Sequence, residues 1–330
     1  DRNMSTSLAE DLIGGSRRAL GRAITLIEST RLDHRSEARA LMDKVMPKSG
    51  QSIRIGVSGT PGVGKSTFIE ALGKKVLESG HKLAVLAIDP SSPIGSGSIL
   101  GDKTRMQYLS AHPNTFIRPS PSKGHLGGVA NKTRETILLC EAAGYDFIIV
   151  ETVGVGQSEF VVNSMVDQFI YLQLPNSGDQ LQGIKKGILE LANLILVNKC
   201  DGSHTLAAKR AKVDLDLALN LIYQSRAEEK PEVLLVSALE GLGLDDTLKI
   251  IVETNVKSKQ SSEFTNKRKK QAVEWFEDEV KQTILQELFS NPIVKQRFLD
   301  SRNNVERLSQ SARQAAAEFS GKLKLGFTDA

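Results

Sequence analysis

The sequence predicts an α/β fold with a mostly parallel β-sheet flanked by helices. Short runs of apolar residues alternate with helical stretches through the middle of the chain. Strands that are apolar throughout are typical of parallel sheets, because helices cover both of their faces. The predicted strands are Ile53–Val57, Leu83–Ile88, Phe147–Val150, Phe169–Leu174, Leu194–Val197 and Val233–Val236, and helices such as Ser66–Glu78 and Thr133–Ala143 lie between them.

Helical patterns precede and follow this core. Apolar residues recur at helical spacing in the N-terminal stretch, which Pro47 and Gly50 close. Beyond Val256 an apolar stripe runs along a further predicted helix; it consists of Val273, Phe276, Val280, Ile284 and Leu288. We therefore predict an N-terminal helical arm over residues 1–50, an α/β domain over residues 51–255 and a C-terminal helical region over residues 256–330.

The composition limits the kinds of partner that the chain is expected to bind and the compartments in which it is expected to work. The 43 basic and 39 acidic residues are interspersed, so the net charge of +4 does not favour a nucleic-acid partner. The two cysteines, Cys140 and Cys200, form no CxxC motif, which favours a reducing compartment without a zinc site. No apolar run reaches the ~18 residues that span a bilayer, so we expect no membrane insertion. The compartment is the cytoplasm in a bacterium or the mitochondrial matrix in a eukaryote.

Residues 59–67 read GTPGVGKST and match the phosphate-binding pattern G-x-x-x-x-G-K-[ST]. The match follows a predicted strand and opens a predicted helix, which is the context that this loop requires. Lys65 is expected to reach the β- and γ-phosphates, and the Ser66 hydroxyl is expected to bind Mg²⁺. The predicted nucleotide contacts are Gly59, Thr60, Pro61, Gly62, Val63, Gly64, Lys65, Ser66 and Thr67.

Two later segments predict that the base is guanine. Asn198-Lys199-Cys200-Asp201 follows a predicted strand and fits N-K-x-D. The two carboxylate oxygens of Asp201 would accept hydrogen bonds from N1–H and the exocyclic amine of guanine, a donor pair that adenine lacks. Ser237-Ala238-Leu239 follows the next strand, where its backbone would contact the guanine carbonyl. Asn198 and Lys199 would hold the loop and flank the base.

Three carboxylates are candidates for the magnesium site: Asp89, Asp102 and Glu151. Glu151 is the best supported, because a carboxylate that ends a buried strand is costly without a partner. Asp102 has the alternative role of a helix N-cap. The ETVGVGQSE stretch that begins at Glu151 predicts a switch in which Gly154 senses the γ-phosphate. No glutamine directly follows Gly154, however, so the usual residue that positions the attacking water is missing.

The glycine-rich loop at residues 178–187 contains two lysines. Its composition leaves two interpretations open, a solvated loop or a lid that brings a cation to the phosphates.

Taken together, the motifs resemble the MeaB/ArgK group of P-loop GTPases, which includes the mitochondrial protein linked to methylmalonic aciduria of the cobalamin A type. The resemblance runs from about Ala19 to Trp275 and is carried by VSGTPGVGKST, FIRPSPSKGHLGGV, VETVGVGQSE, GDQLQGIKKGILELA and VNKCDG. It implies a P-loop fold of the SIMIBI type and a homodimer that forms through the C-terminal helices. It also implies a chaperone of adenosylcobalamin-dependent methylmalonyl-CoA mutase, which receives its cofactor from a cobalamin adenosyltransferase.

Within this resemblance, Lys185 matches the residue implicated in hydrolysis and in coupling to the mutase. We therefore predict a slow GTPase whose catalytic residues are Lys65, Lys185 and Glu151, with Lys185 completing the site when the partner binds. The cofactors are GTP or GDP and Mg²⁺. The alternatives are a nickel-delivery GTPase of the same class, a P-loop kinase and a nucleotide-dependent scaffold that never hydrolyses GTP. The nickel alternative would need Cys/His ligand motifs, which the sequence lacks.

Overall fold

A parallel sheet forms the centre of the fold. The computed structural model of the chain describes residues 2–29, 31–88, 106–119, 126–153, 158–175, 186–224 and 230–323. Within them, seven strands pair in the order β3-β2-β4-β1-β5-β6-β7, and every pair is parallel. The strands are β1 (Ile53–Gly59), β2 (Leu83–Ile88), β3 (Thr115–Arg118), β4 (Phe147–Thr152), β5 (Gln168–Gln173), β6 (Leu194–Val197) and β7 (Glu232–Leu235).

Helices alternate with the strands and extend beyond them at both ends. Those of the described residues are α1 (Arg2–Ile13), α2 (Arg17–Glu28), α3 (Leu32–Val45), α4 (Lys65–Glu78), α5 (Gln107–Ala111), α6 (Leu126–Ala142), α7 (Ser158–Asn163), α8 (Lys186–Leu191), α9 (Thr205–Tyr223), α10 (Leu244–Gln260), α11 (Glu263–Ser290), α12 (Pro292–Glu306) and α13 (Ala312–Gly321). In this part of the chain no helix is long and apolar enough to cross a membrane.

The predicted α/β class and parallel sheet are confirmed, and the structure adds one strand that the sequence pattern did not predict. This strand, β3, pairs with β2 at the edge of the sheet. Only Thr115 and Phe116 of its four residues are buried. A strand this short and half exposed lacks the continuous apolar run that identified the others.

Each face of the sheet is covered by its own apolar core. One core includes Val57, Leu172 and Leu196 and is completed by side chains of α4 and α10. The other includes Val150, Phe169 and Val197 and is completed by side chains of α6, α7 and α9. Strands buried on both faces explain why their sequences read as continuous apolar runs.

The N-terminal helices pack against the second of these cores. Leu12, Leu20, Ile24 and Leu41 are fully buried in it, together with residues of the sheet face. The Ser16 hydroxyl accepts a hydrogen bond from the backbone N–H of Ala19 at 3.2 Å, which caps the start of α2. The N-terminal arm is therefore held by apolar burial rather than by surface contacts.

The chain divides into two compact units, residues 1–271 and 272–330. In the described part of the second unit, the only buried hydrophobic residue is Ala315. Three phenylalanines contact one another there: the rings of Phe289 and Phe298 lie 4.9 Å apart, and those of Phe298 and Phe319 lie 5.6 Å apart. The division into an arm, a core and a tail at residues 50 and 255 stays a prediction.

Candidate nucleotide-binding site

The segments predicted to bind the nucleotide follow neighbouring strands of the sheet. β1 lies between β4 and β5, and β6 pairs with β5. Because all of these strands are parallel, the loops that leave their carboxyl ends lie at the same edge of the sheet. Ligands of open α/β sheets bind at this edge.

Two glycines of the phosphate loop are required by its geometry. A Cβ atom at Gly59 would lie 2.6 Å from the carbonyl oxygen of Leu172 on β5, so the loop can leave β1 there only without a side chain. Gly64 has a φ of 89° and caps the N-terminus of α4. No side chain caps this helix end, so its first backbone N–H groups are available to phosphate oxygens.

Lys65 lies where the loop meets α4. Its ammonium group donates a hydrogen bond to the carbonyl oxygen of Gly59 at 2.9 Å, which folds the side chain back along the loop. Burial lowers the pKa of Lys65, and the negative charges of Glu151 and Glu159 oppose this effect. Lys65 is therefore a partly desolvated cation next to the cradle of amides, as a phosphate-binding lysine should be.

Glu151 is buried near the carboxyl end of β4, with 4% of its surface exposed. It is paired in register with Val57 of β1 and Ala87 of β2. Its negative charge acts to raise the pKa of Lys65. The Ser66 hydroxyl and a carboxylate supply the oxygen ligands that Mg²⁺ takes, and this ion needs only one or two protein carboxylates beside phosphates and water. The donor set therefore fits Mg²⁺.

Several predicted site residues lie outside the described residues. These are Asp89, Asp102, Gly154 and Lys185. In the described part of the chain, no group of three or more His, Cys, Asp or Glu side chains could hold a metal ion.

Asn198 joins the phosphate loop to the two segments predicted to recognise the base, residues 198–201 and 237–239 (the base loops). It is 2% exposed. Its Nδ2 atom donates to the carbonyl oxygen of Val63 at 2.8 Å, and its Oδ1 atom accepts from the backbone N–H of Ala238 at 3.1 Å. The N-K-x-D pattern predicted that Asn198 holds the base loop, but the sequence did not indicate that it reaches two other segments.

Ser237 and Asp201 are also brought together. The Ser237 hydroxyl donates a hydrogen bond to the Asp201 carboxylate and accepts one from the backbone N–H of Glu240 at 3.1 Å. The backbone N–H of Cys200 donates to the carbonyl oxygen of Val236 at 2.9 Å, which ties the two loops together. Ser237 was predicted to act through its backbone, and the structure adds a side-chain role in orienting the carboxylate that would read guanine.

The remaining base-loop residues are accessible. Lys199 is exposed and has a φ of 61°, a left-handed conformation that is uncommon for a residue with a side chain. Leu239 has 82% of its surface exposed. Both side chains are free to pack against a base.

Sequence reasoning missed a group of buried polar side chains beside the phosphate loop. Ser158 and Glu159 begin α7, and Gln173 ends β5. All three are buried, and each has a side-chain oxygen or nitrogen without a hydrogen-bond partner among the described residues. Ser158 and Glu159 are the polar pair that closes ETVGVGQSE, to which no role was assigned, and Gln173 is a polar residue at the end of a predicted strand.

Comparison with known proteins identifies close relatives. The family model described as methylmalonyl-CoA mutase-associated GTPase MeaB matches residues 20–293. A probable GTPase of Mycobacterium tuberculosis is 52% identical over 288 residues, which cover 87% of this chain and 86% of that protein. The mitochondrial methylmalonic aciduria type A homolog of Mus musculus is 42% identical over 297 residues, which cover 87% of this chain and 72% of that protein.

A solved structure also matches over almost the whole chain. The crystal structure of a protein named LAO/AO transport system kinase superposes with a TM-score of 0.74 at 37% identity. The match covers 97% of this chain and 98% of that one.

Proposed function

Because this chain belongs to the MeaB family of methylmalonyl-CoA mutase-associated GTPases, we propose that its GTPase activity controls adenosylcobalamin delivery to methylmalonyl-CoA mutase. In this role it also protects or reactivates the mutase. The observation that carries the proposal is the joining of the phosphate loop to the guanine-recognition loops through Asn198. Occupancy of one loop is thereby coupled to the conformation of the others. The description of the family and the name of the mouse relative support the choice of client.

The site residues have distinct proposed roles in hydrolysis. The amides of residues 59–67 and the Lys65 ammonium hold the phosphates, while Asp201, oriented by Ser237, selects guanine. Ser66 and Glu151 would hold Mg²⁺, with Asp89 and Asp102 as further candidates, and bound Mg²⁺ supplies charge neutralisation at the β- and γ-phosphates. Catalysis of in-line attack by water is then mainly positioning and charge stabilisation.

Lys185 is proposed to complete this site when the mutase binds. A cation supplied in this way raises turnover by ~10³ or more in other GTPases. In the Lys185→Ala variant, hydrolysis by the isolated chain should change little, while its stimulation by the mutase should be lost. Lys186→Ala, the adjacent lysine, is the matched control. Stimulation that stays at the wild-type level in Lys185→Ala would exclude this role.

The client assignment has a direct test. The chain is immobilised and loaded with a non-hydrolysable GTP analogue or with GDP, and purified adenosylcobalamin-dependent methylmalonyl-CoA mutase is passed over it. We expect binding that differs between the two nucleotide states, and a mutase-dependent change in cofactor transfer from a cobalamin adenosyltransferase. Absence of mutase binding in both states would reject the client, although the GTPase activity would remain.

A homodimer through α11 is the second part of the proposal. Val273, Phe276, Val280 and Ile284 form one stripe of this helix, and their exposed fractions are 56%, 67%, 37% and 53%. None of the 28 residues of α11 is buried. Four large apolar side chains in one exposed row are typical of an interface.

Light scattering coupled to gel filtration tests this interface. The wild-type chain should elute with the mass of a dimer, and Phe276→Asp should shift it to a monomer. Glu277→Gln, on the adjacent position of the same helix, should remain dimeric. A monomeric wild-type chain would reject the interface.

Product analysis separates this function from its alternatives. A GTPase releases GDP and free phosphate, whereas a kinase would transfer the label of γ-labelled GTP to an acceptor, and a scaffold would leave GTP intact with every partner. A nickel-delivery role would require tight Ni²⁺ binding in equilibrium dialysis. No described cluster of side chains favours that role.

A further inference from the structure

Buried polar groups beside the phosphate loop are not used by the chemistry described above. Ser158 and Gln173 have no exposed surface, and Glu159 is 3% exposed. Among the described residues, Ser158 Oγ, Glu159 Oε2 and both amide atoms of Gln173 lack a hydrogen-bond partner. An unpaired buried polar atom costs free energy, so a group of them next to a ligand site indicates a functional reason for its retention.

The short helix α7 sets the position of Glu159. It belongs to the first turn of α7, and the apolar side chains of this helix pack on the sheet face that carries Phe169 and Tyr171 of β5. Tyr171 is paired in register with Ser58, one residue before the phosphate loop begins at Gly59. Because α7 follows β4, which is parallel to β1, its first turn with Glu159 lies at the edge of the sheet from which the phosphate loop departs.

The negative charge of Glu159 affects the pKa of two other side chains, Tyr171 and Lys65. Burial raises the pKa of Tyr171 to about 12, and the charge of Glu159 contributes to the increase. Burial lowers the pKa of Lys65, and Glu151 and Glu159 both act to raise it. Among the described residues, Lys65 donates a hydrogen bond to Gly59 and forms no ion pair with Glu159, so Glu159 acts on the lysine through space rather than by direct contact.

We propose that Glu159 is a positioning and specificity-determining residue that sets the relative affinities of this site for GTP and GDP. Without a triphosphate, the buried carboxylate provides a countercharge for the Lys65 ammonium. When nucleotide binds, the same fixed negative charge opposes the phosphates that Lys65 attracts. The γ-phosphate adds negative charge close to Lys65, so the carboxylate disfavours GTP more than GDP.

This inference rests on the proposed phosphate-binding role of Lys65. It predicts that neutralising Glu159 increases GTP affinity by about fivefold and GDP affinity by less than about twofold, as expected for one charge acting across several ångströms of partly buried protein. A purely structural role for Glu159 would weaken both nucleotides in parallel, together with the folded state. The ratio of the two affinities therefore separates the two roles.

Isothermal titration of the full chain with GDP and a non-hydrolysable GTP analogue tests the proposal. Glu159→Gln keeps the shape of the side chain and removes its charge, whereas Glu159→Asp keeps the charge. We expect the affinity ratio to shift about fivefold toward GTP in Glu159→Gln and to stay near wild type in Glu159→Asp. The control Glu78→Gln removes an exposed charge at the far end of α4 and should not shift the ratio.

A second variant, which adds a negative charge instead of removing one, keeps the test independent of any folding defect in Glu159→Gln. Gln173→Glu adds a buried negative charge directly after Leu172, which pairs with Gly59 at the start of the phosphate loop, and should shift the ratio toward GDP. Urea denaturation of each variant separates a change in stability from a change in affinity.

An unchanged affinity ratio in Glu159→Gln or in Gln173→Glu overturns the inference, and so does a shift in Glu159→Asp as large as that in Glu159→Gln. If the wild-type chain binds neither nucleotide, the proposed site itself fails. That result is distinguishable from a failure of the role of Glu159 alone.

Discussion

The two ends of strand β1 differ in the hydrogen-bond partners of the buried polar side chains that lie near them. At the amino end, Arg54 donates two hydrogen bonds of 2.8 Å to Glu141, and Arg268 donates bonds of 2.6 and 2.8 Å to Asp167. At the carboxyl end, the buried hydroxyl of Thr60 has no partner among the described residues, and neither does Oε2 of Glu159. We call the amino end, where the charged side chains are paired, the satisfied end; its ion pairs stabilise the fold, while the carboxyl end lies where we propose that the nucleotide binds.

The amino-end network explains how polar residues are tolerated inside the protein. The side chains of Glu141 and Asp167 are 2% and 7% exposed, and each faces a guanidinium group. Asp167 also accepts a hydrogen bond from the backbone N–H of Arg54 at 2.9 Å, which ties the two ion pairs together. Removal of one partner would leave a buried charge unpaired, and that is the costly change in such networks.

The largest expected effect comes from breaking the satisfied end. Glu141→Ala should lower the free energy of unfolding by about 3–5 kcal/mol, because Arg54 would stay buried without its countercharge. Urea denaturation measures this change, and Glu78→Ala, at an exposed site, should change stability by less than about 0.5 kcal/mol. A loss below about 1 kcal/mol for Glu141→Ala would show that the network is not a stabilising element.

The next effect concerns affinity at the opposite end of the sheet. Asp201→Ala should weaken GTP binding by about 2–3 kcal/mol while leaving the free energy of unfolding nearly unchanged, because it removes a charged acceptor of two hydrogen bonds to guanine. Fluorescent-nucleotide titration measures the loss, and ATP binding should not weaken in parallel. Asp214→Ala, at an exposed position of α9, serves as the control. Equal losses for GTP and ATP would contradict guanine recognition by Asp201.

A smaller effect is expected at Asn198, which follows β6 at the carboxyl edge of the sheet. Its replacement by alanine leaves the Val63 carbonyl and the Ala238 N–H without their side-chain partner. We expect GTP and GDP affinities to fall together by about tenfold, since both the phosphate and the base loops lose their common support. Asn220→Ala, at an exposed position of α9, should bind both nucleotides normally. A loss confined to one nucleotide would argue against a shared support.

The smallest effect is a dependence of stability on pH that belongs to the satisfied end alone. Burial acts to raise the pKa of Glu141, but Arg54, Ser52 and Arg268 together outweigh burial and hold the pKa below its ordinary value of 4.5. The stabilisation is therefore complete above pH 4.5 and is lost as the pH falls through the lower pKa of the folded state.

Unfolding free energies measured across this acidic range test the assignment. The wild-type chain should lose stability more steeply than Glu141→Gln, by up to about 1.4 kcal/mol per pH unit. Identical slopes in the two proteins would assign the acid sensitivity to other carboxylates.

The sequence determined the elements whose signals are local. Continuous apolar runs predicted the central strands, and GTPGVGKST and N-K-x-D predicted a GTPase site because their residue types and spacing follow from the chemistry of phosphate and guanine. The family assignment came from the resemblance of several motifs to the MeaB/ArgK group, and the family model confirms it. The edge strand Thr115–Arg118 was missed, because four partly exposed residues carry no such pattern.

Tertiary structure alone decided which distant residues meet. Asn198 reaches Val63 across 135 positions of the chain, and Arg54 reaches Glu141 across 87. The register of parallel strands sets these contacts, and no local pattern records it. The burial of Glu159, with its Oε2 atom unpaired among the described residues, was likewise decided by packing, because the sequence alone predicts a solvated charge for a glutamate. The sequence thus determined the chemistry of the site, and the fold determined which groups share it.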